Sequence, residues 1–247
     1  MKRKQKRILG KGLAYVFQIS LALIFVLPLV WMIISSLKPE ADLFKDMSSI
    51  ATFFVSNPSL DNYKEMLSRS LVLKSTMNSI IYIGLILLIG IPVNALCGYA
   101  LARLKFPGKN FILSAIIALY IVPFETVVLP LYLVSNTLKI TNTFFALFVP
   151  FIGNCFNIFL FRQFFMSLPK ELEEAASIDG CGVFGTFVRV VLPNTKPVIA
   201  TATVLTIVTH WSDFMWPLMA VTSPKQKTIQ LAIQGFFTDP PVRYAPI

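Results

Sequence analysis

Residues 167–197 read SLPKELEEAASIDGCGVFGTFVRVVLPNTKP, a polar elbow set between two long apolar runs. Pro169 fits a first helical turn, where its missing N–H leaves no bond unmade. Glu171, Glu173 and Glu174 crowd the same end, where a helix dipole favours negative charge. Ala175 and Ala176 are small helix formers, and Gly180 can take the left-handed conformation that stops a helix. A second short helix is expected from Val183 to Val191, with Phe184, Phe187, Val188 and Val191 on one face at i, i+3, i+4 and i+7. Pro193 should end it, and Pro197 should open the next apolar run. The elbow is thus expected to be a helix-turn-helix lying along a membrane surface, with an apolar face.

The runs on either side read as membrane spans. Apolar residues make up 55% of the 247 positions and charged residues 14%, against about 25% charged in soluble domains. Mean hydropathy is +0.71. Too little polar surface is left to face water on all sides. A spanning helix needs about 20 apolar residues, each rising about 1.5 Å through a core roughly 30 Å thick. Five segments meet that length, near Leu13–Leu37, Met77–Leu101, Phe111–Val134, Phe144–Phe165 and Val198–Val221. Backbone in lipid must satisfy itself, so the expected fold is all-α, a polytopic transmembrane helix bundle. The organisation expected is residues 1–75 as basic tail, first span and outer loop, and residues 76–247 as a core carrying the elbow at 167–193.

Charge sets the expected orientation. MKRKQKRILGKG carries six Lys or Arg and no acid ahead of the first span, which favours a cytoplasmic amino terminus. The apolar run that follows is too long for a secretory signal and lacks a small-residue cleavage site. The loop from Lys38 to Ser75 balances five basic against five acidic residues and is expected outside, with a short helix over Leu60–Leu67. That loop either shields the bundle or docks an external partner. Arg103, Lys105 and Lys109 place the next turn inside, which returns the elbow to the cytoplasm.

Catalytic chemistry has little support. One His, His210, and three scattered cysteines, Cys97, Cys155 and Cys181, suggest neither a metal site nor a disulfide framework. No HExxH, GxSxG or phosphate-binding glycine loop is present. The net charge of +10 lies at membrane flanks, so nucleic acid is not an expected partner. On physical grounds the elbow either rests on headgroups and its own bundle or receives a protein. Small residues that allow close approach, and three acids at a surface that favours bases, point to the protein.

Glu174-Ala175-Ala176, three residues, Gly180, nine residues, then Val190-x-Leu192-Pro193 resembles the EAA motif of permeases in binding-protein-dependent ABC importers. Val190 stands where the family writes Ile. Phe161-Arg-Gln-Phe-Phe, Ile178-Asp-Gly180, Trp211-Ser-Asp-Phe-Met-Trp-Pro-Leu218, Val122-Pro-Phe-Glu-Thr-Val-Val-Leu-Pro-Leu-Tyr132 and Leu101-Ala-Arg-Leu-Lys-Phe-Pro-Gly108 look like the carbohydrate-uptake branch, and most like the second permease of maltose-type importers. Ser212 stands where that branch commonly has Asn, and Glu125 where it commonly has Gln. The resemblance implies a type I ABC importer permease fold in a bacterial cytoplasmic membrane. It implies a homologous second permease, two ATP-binding cassette ATPases, an extracytoplasmic solute-binding protein and a sugar. ATP and Mg would belong to the ATPases, with no cofactor in this chain and no hydrolysis by it. Glu174 would pair with a basic residue of an ATPase, and Ala175, Ala176 and Gly180 would allow close packing; Glu171, Asp179, Phe184, Leu192 and Pro193 complete the coupling set. The family usually has six spans, and no sixth apolar run follows Gly235, so five spans and an incomplete bundle are expected.

Polar groups inside spans are costly and each needs a reason. Asn78, Asn94, Asn154, Asn157 and His210 either line a path or join helices, joining being the commoner use of an Asn. Glu125 and Asp213 are the better path candidates, since intramembrane acids usually face a cavity. Phe124, Tyr132, Trp211 and Trp216 either stack on a sugar or form the interfacial belt. Glu125, Asn154, Trp211 and Asp213 form the expected solute-path set. Two rivals stand beside the sugar reading: another solute (glycerol phosphate, polyamine or osmolyte), and a membrane scaffold that recruits a cytoplasmic protein.

Overall fold

The computed structural model describes residues 2–39, 42, 43, 45, 50–68 and 70–238. Among these, every regular element is helical. The chain divides into two compact units, one running to Val72 and taking in the chain from Ile233, the other Leu73–Ala232.

In the first unit, α1 (Lys2–Ser36) carries an apolar stretch from Gly10 that is long enough to cross a membrane and is exposed all round. The chain then folds back on the end of α1. Asn62 Nδ2 donates to the carbonyls of Ser36 and Lys38 at 3.0 and 2.8 Å, and Trp31 Nε1 donates to Thr52 Oγ1 at 3.2 Å. The expected short helix is present as α2 (Asp61–Ser68).

The second unit carries the elbow, and prolines explain most of its departures from the expected spans. Helix α3 (Ser70–Leu85) passes through a π turn, Ile86–Gly90, into α4 (Ile91–Arg103). The wide turn stands just ahead of Pro92, whose ring would otherwise meet the carbonyl four residues back. The expected third span is two helices, α5 (Lys109–Ile121) and α6 (Phe124–Thr137), bent by 106°. Pro123 pushes Val122 out of helical geometry, to ψ 123°. The fourth is α7 (Phe144–Phe148), a 3₁₀ turn at Val149–Phe151, then α8 (Cys155–Ser167).

The elbow itself is α9 (Glu171–Ile178) and α10 (Val183–Thr186). Its second arm does not end at Pro193. It runs through a π turn, Phe187–Val191, and a 3₁₀ turn, Leu192–Thr195, into α11 (Lys196–Trp211). The whole stretch Val183–Trp211 forms one 29-residue apolar helix, because the π turn absorbs Pro193 as the earlier one absorbs Pro92. The fifth span therefore begins sooner than expected and stops at Trp211, before Val221. A short α12 (Met215–Ala220) and an apolar ten-residue α13 (Ile229–Thr238) follow. Helix α13 is not among the spans expected from the sequence; residues 239–247 lie outside the described residues. Among the described residues, four helices are long and apolar enough to cross a membrane, five if the bent pair is one span.

Two apolar clusters hold this unit. One joins Tyr82, Ile86, Val128, Leu147 and Trp216. The other, at the elbow's end, joins Tyr99, Phe161, Phe165, Phe187 and Val198. Helices α4 and α8 meet at Gly98, where an added Cβ would lie 2.7 Å from Phe161 Cβ. Only a missing side chain permits that approach.

Candidate functional site: an elbow and a ring of helix breaks

The elbow has two faces with different fates. Gly180 stops α9 in the left-handed conformation, φ 81°. Its N–H donates to the Ser177 carbonyl at 3.1 Å and the Cys181 N–H to that of Ala176 at 2.9 Å, the paired bonds of a Schellman stop. Pro169 lies ahead of the N-cap residue, Lys170, and not in the first turn.

Outward stand Glu171, Glu174, Ala175, Asp179 and Gly180, all exposed. They are joined by two bare apolar side chains, Ile178 at 87% exposure and Phe184 at 68%. Inward stand Ala176, Phe187 and Val191, all buried. Ala176 packs into its own fold, leaving Ala175 and Gly180 as the exposed small residues. One expectation is corrected here. The apolar face of the second arm is split: Phe187 and Val191 enter the core while Phe184 and Val188 do not, because the π turn breaks the 3.6-residue register. Leu192 packs against the same core, and Pro193 is exposed.

Glu173 was not singled out by the sequence, yet it is the acid the structure uses. Its Oε1 lies 2.6 Å from Arg103 Nε, with side-chain exposures of 19% and 9%. Tyr99 Oη donates to its Oε2 at 3.1 Å. Cations gather around the end of α4, where helix carbonyls leave negative charge uncompensated. Lys109 Nζ donates to the Ala102 and Leu104 carbonyls, and Arg162 Nε to that of Leu101. The basic turn therefore caps a helix as well as biasing orientation.

The second candidate is a ring of breaks. Phe151, in the 3₁₀ turn between α7 and α8, lies 6.1 Å by ring centroids from Phe124, 4.8 Å from His210 and 6.1 Å from Trp216. Those residues flank the breaks at Val122–Pro123 and Ser212–Phe214. The π turn joins them where Gly90 abuts the Ile152 carbonyl, and α3 joins them through Tyr82 Oη, which donates to the His210 carbonyl. Irregular backbone at membrane depth persists only where it is buried or lines an aqueous cavity.

The ring's asparagines are joiners. Asn94 Nδ2 donates to the Ile152 carbonyl at 3.1 Å, and its Oδ1 accepts from the Asn154 N–H at 2.9 Å. Asn154 Oδ1 caps α8 by accepting from the Asn157 N–H at 2.9 Å. Asn157 Nδ2 reaches Thr206 Oγ1 at 3.2 Å. Asn78 Nδ2 donates to the Lys225 and Lys227 carbonyls. Asp213 is half-buried and accepts from the Trp216 N–H at 3.4 Å. Trp216 belongs to neither expected aromatic role: it is fully buried, its Nε1 donating to the Ala146 carbonyl at 2.9 Å. Of the expected path residues, Glu125 and Trp211 keep exposed surface.

A family profile described as binding-protein-dependent transport system inner membrane component matches residues 90–240. The arabinooligosaccharides transport system permease protein AraQ of Halalkalibacterium halodurans is 31% identical over 96% of this chain and 85% of its own length. The sulfoquinovosyl glycerol transport system permease protein SmoH of Agrobacterium fabrum is 32% identical over 91% and 79%. The trehalose transport system permease protein SugB of Mycobacterium tuberculosis is 31% identical over 85% and 76%. A chain in the crystal structure of a bacterial ABC transporter that imports the acidic polysaccharide alginate shares the fold, with a TM-score of 0.83 at 23% identity over 96% of this chain and 82% of that one.

Proposed function

This chain belongs to the family of binding-protein-dependent transport system inner membrane components, and on that footing we propose that it is the permease subunit of an ATP-driven importer whose solute is a sugar or oligosaccharide. One observation carries the coupling half of this reading. The elbow is held on one side and bare on the other, with acids and two large apolar side chains facing away from the bundle. An exposed apolar knob rimmed by charge is what a protein partner covers.

In this reading the outward face, Glu171, Glu174, Ala175, Asp179, Gly180 and Phe184, seats on an ATPase subunit. Pro193, also exposed, borders the seat; Ala176 and Leu192 support it from within. A homologous permease presents a second elbow to a second ATPase, and ATP with Mg is held and hydrolysed by those partners. Closure of the ATPase pair shifts both elbows, the spans exchange inward-facing and outward-facing arrangements, and a solute-binding protein delivers the sugar from outside. The amino terminus and the elbow lie in the cytoplasm, as the six basic residues at the start of α1 favour. The ring of breaks borders the solute path, with Glu125 and Trp211 its exposed members. The named substrates of the relatives support a carbohydrate over other solutes.

The test is Glu174→Lys in the assembled complex. Glu174 is exposed, so the reversal leaves the bundle folded. The expected outcome is an inserted chain that no longer copurifies with an ATPase and no longer imports arabino-oligosaccharide or trehalose into ATP-loaded proteoliposomes. Normal copurification and uptake would refute the coupling assignment.

A further inference from the structure

The inner face of the elbow converges on two residues one turn apart in α4, Tyr99 and Arg103. Glu173 gives one carboxylate oxygen to each of them. The same guanidinium reaches the elbow's entry, its Nη2 donating to the Leu168 carbonyl at 2.6 Å. The Tyr99 ring touches both ends of the elbow, 5.7 Å from Phe165 and 5.0 Å from Phe187 by centroids. Entry, first arm and exit are therefore fastened to one turn of α4.

Apolar contacts permit sliding, whereas the Tyr99 hydrogen bond on Oε2 and the Arg103 charge beside Oε1 hold the carboxylate against α4 from two sides. The attachment continues from α4 to α8, whose backbones touch at Gly98. At its other end α4 carries Asn94, which holds the Ile152 carbonyl and the Asn154 N–H of the ring.

We infer that Glu173, with Arg103 and Tyr99, is the joint that transmits elbow movement into α4: a positioning group distinct from the outward docking face. The inference rests on the reading of the elbow as the ATPase seat.

The measurement is amide hydrogen exchange on the complete complex, permease pair with ATPases, with and without Mg-ATP plus vanadate. In the wild type, exchange is expected to change both at residues 171–187 and at 91–103. In Glu173→Gln the ATPases remain bound and the change at 171–187 remains, while the change at 91–103 is lost. A wild-type elbow that ignores nucleotide would sink the docking reading itself. An elbow that responds while 91–103 stays silent in the wild type overturns the joint alone, as does a full response at 91–103 in Glu173→Gln. Should Glu173→Gln fail to assemble, Tyr99→Phe keeps the ion pair and removes one oxygen's partner. A reduced response at 91–103 is then expected, and an undiminished one overturns the joint.

Discussion

Glu173 and Glu174 are neighbours with opposite environments, and substitution should separate them. Removing the Glu173 carboxylate leaves Arg103 nearly buried without its counter-charge; breaking a buried pair costs about 3–5 kcal/mol, and the remaining exposure of Glu173 puts Glu173→Ala at about 2–4 kcal/mol. Glu174→Ala should stay within about 0.5 kcal/mol, as exposed positions do. Thermal unfolding of the purified chain in detergent reads both. The sequence spacing identified Glu174 as the motif acid, and the structure leaves it bare. The sequence marked Glu173 only as one of three acids in the first turn, because its partners lie about 70 positions away. Trp216 was equally hidden: a Trp near a span end reads as an interfacial anchor, and only the fold shows its Nε1 against the Ala146 carbonyl. Trp216→Phe removes that bond and leaves the carbonyl unpaired, for a loss of about 1–3 kcal/mol in the same assay.

At the scale of elements, prolines made the breaks legible but not their consequences. Pro123 announced an interruption, yet the size of the bend follows from packing that no local rule contains. Pro193 looked like a helix end and is instead carried through a π turn, since continuing into α11 keeps Phe187 and Val191 in the core. Glycines offer the cleanest tests. Gly98→Ala sets a methyl against backbone atoms of α8, with Ile158 O and Arg162 N each 3.0 Å away. Overpacking of this kind costs about 1–3 kcal/mol, and cysteine crosslinking between α4 and α8 should weaken as the helices part. Gly180→Ala forces a side chain into left-handed backbone, costing about 1–2 kcal/mol; the expected sign is faster proteolysis of the elbow with the spans intact. Asn94→Leu leaves the Ile152 carbonyl and the Asn154 N–H unpaired in the ring. Transport should fall more than ATPase copurification does, which uptake and pull-down measure side by side.

For the whole molecule, the apolar side chains left bare along the spans, such as Phe111, Leu119 and Ile121 at 78%, 64% and 73% exposure, suit a lipid environment and not water. The chain is expected to stay in the membrane fraction through alkaline carbonate extraction. Composition foretold that much; the first and fourth spans fall within a few residues of their expected bounds, while the third is a bent pair and the fifth is shifted towards the amino terminus. The second unit's two clusters and the ring were not foreseeable, because they depend on which spans meet.

The unbroken course of Val183–Trp211 gives the elbow unequal arms. At about 1.5 Å per residue its 29 residues extend roughly 43 Å. A tilt of about 10° at the short arm would swing the Trp211 tip by about 7 Å, roughly the breadth of one sugar ring. A slight nudge at one end of such a lever would thus be enlarged several-fold at the other.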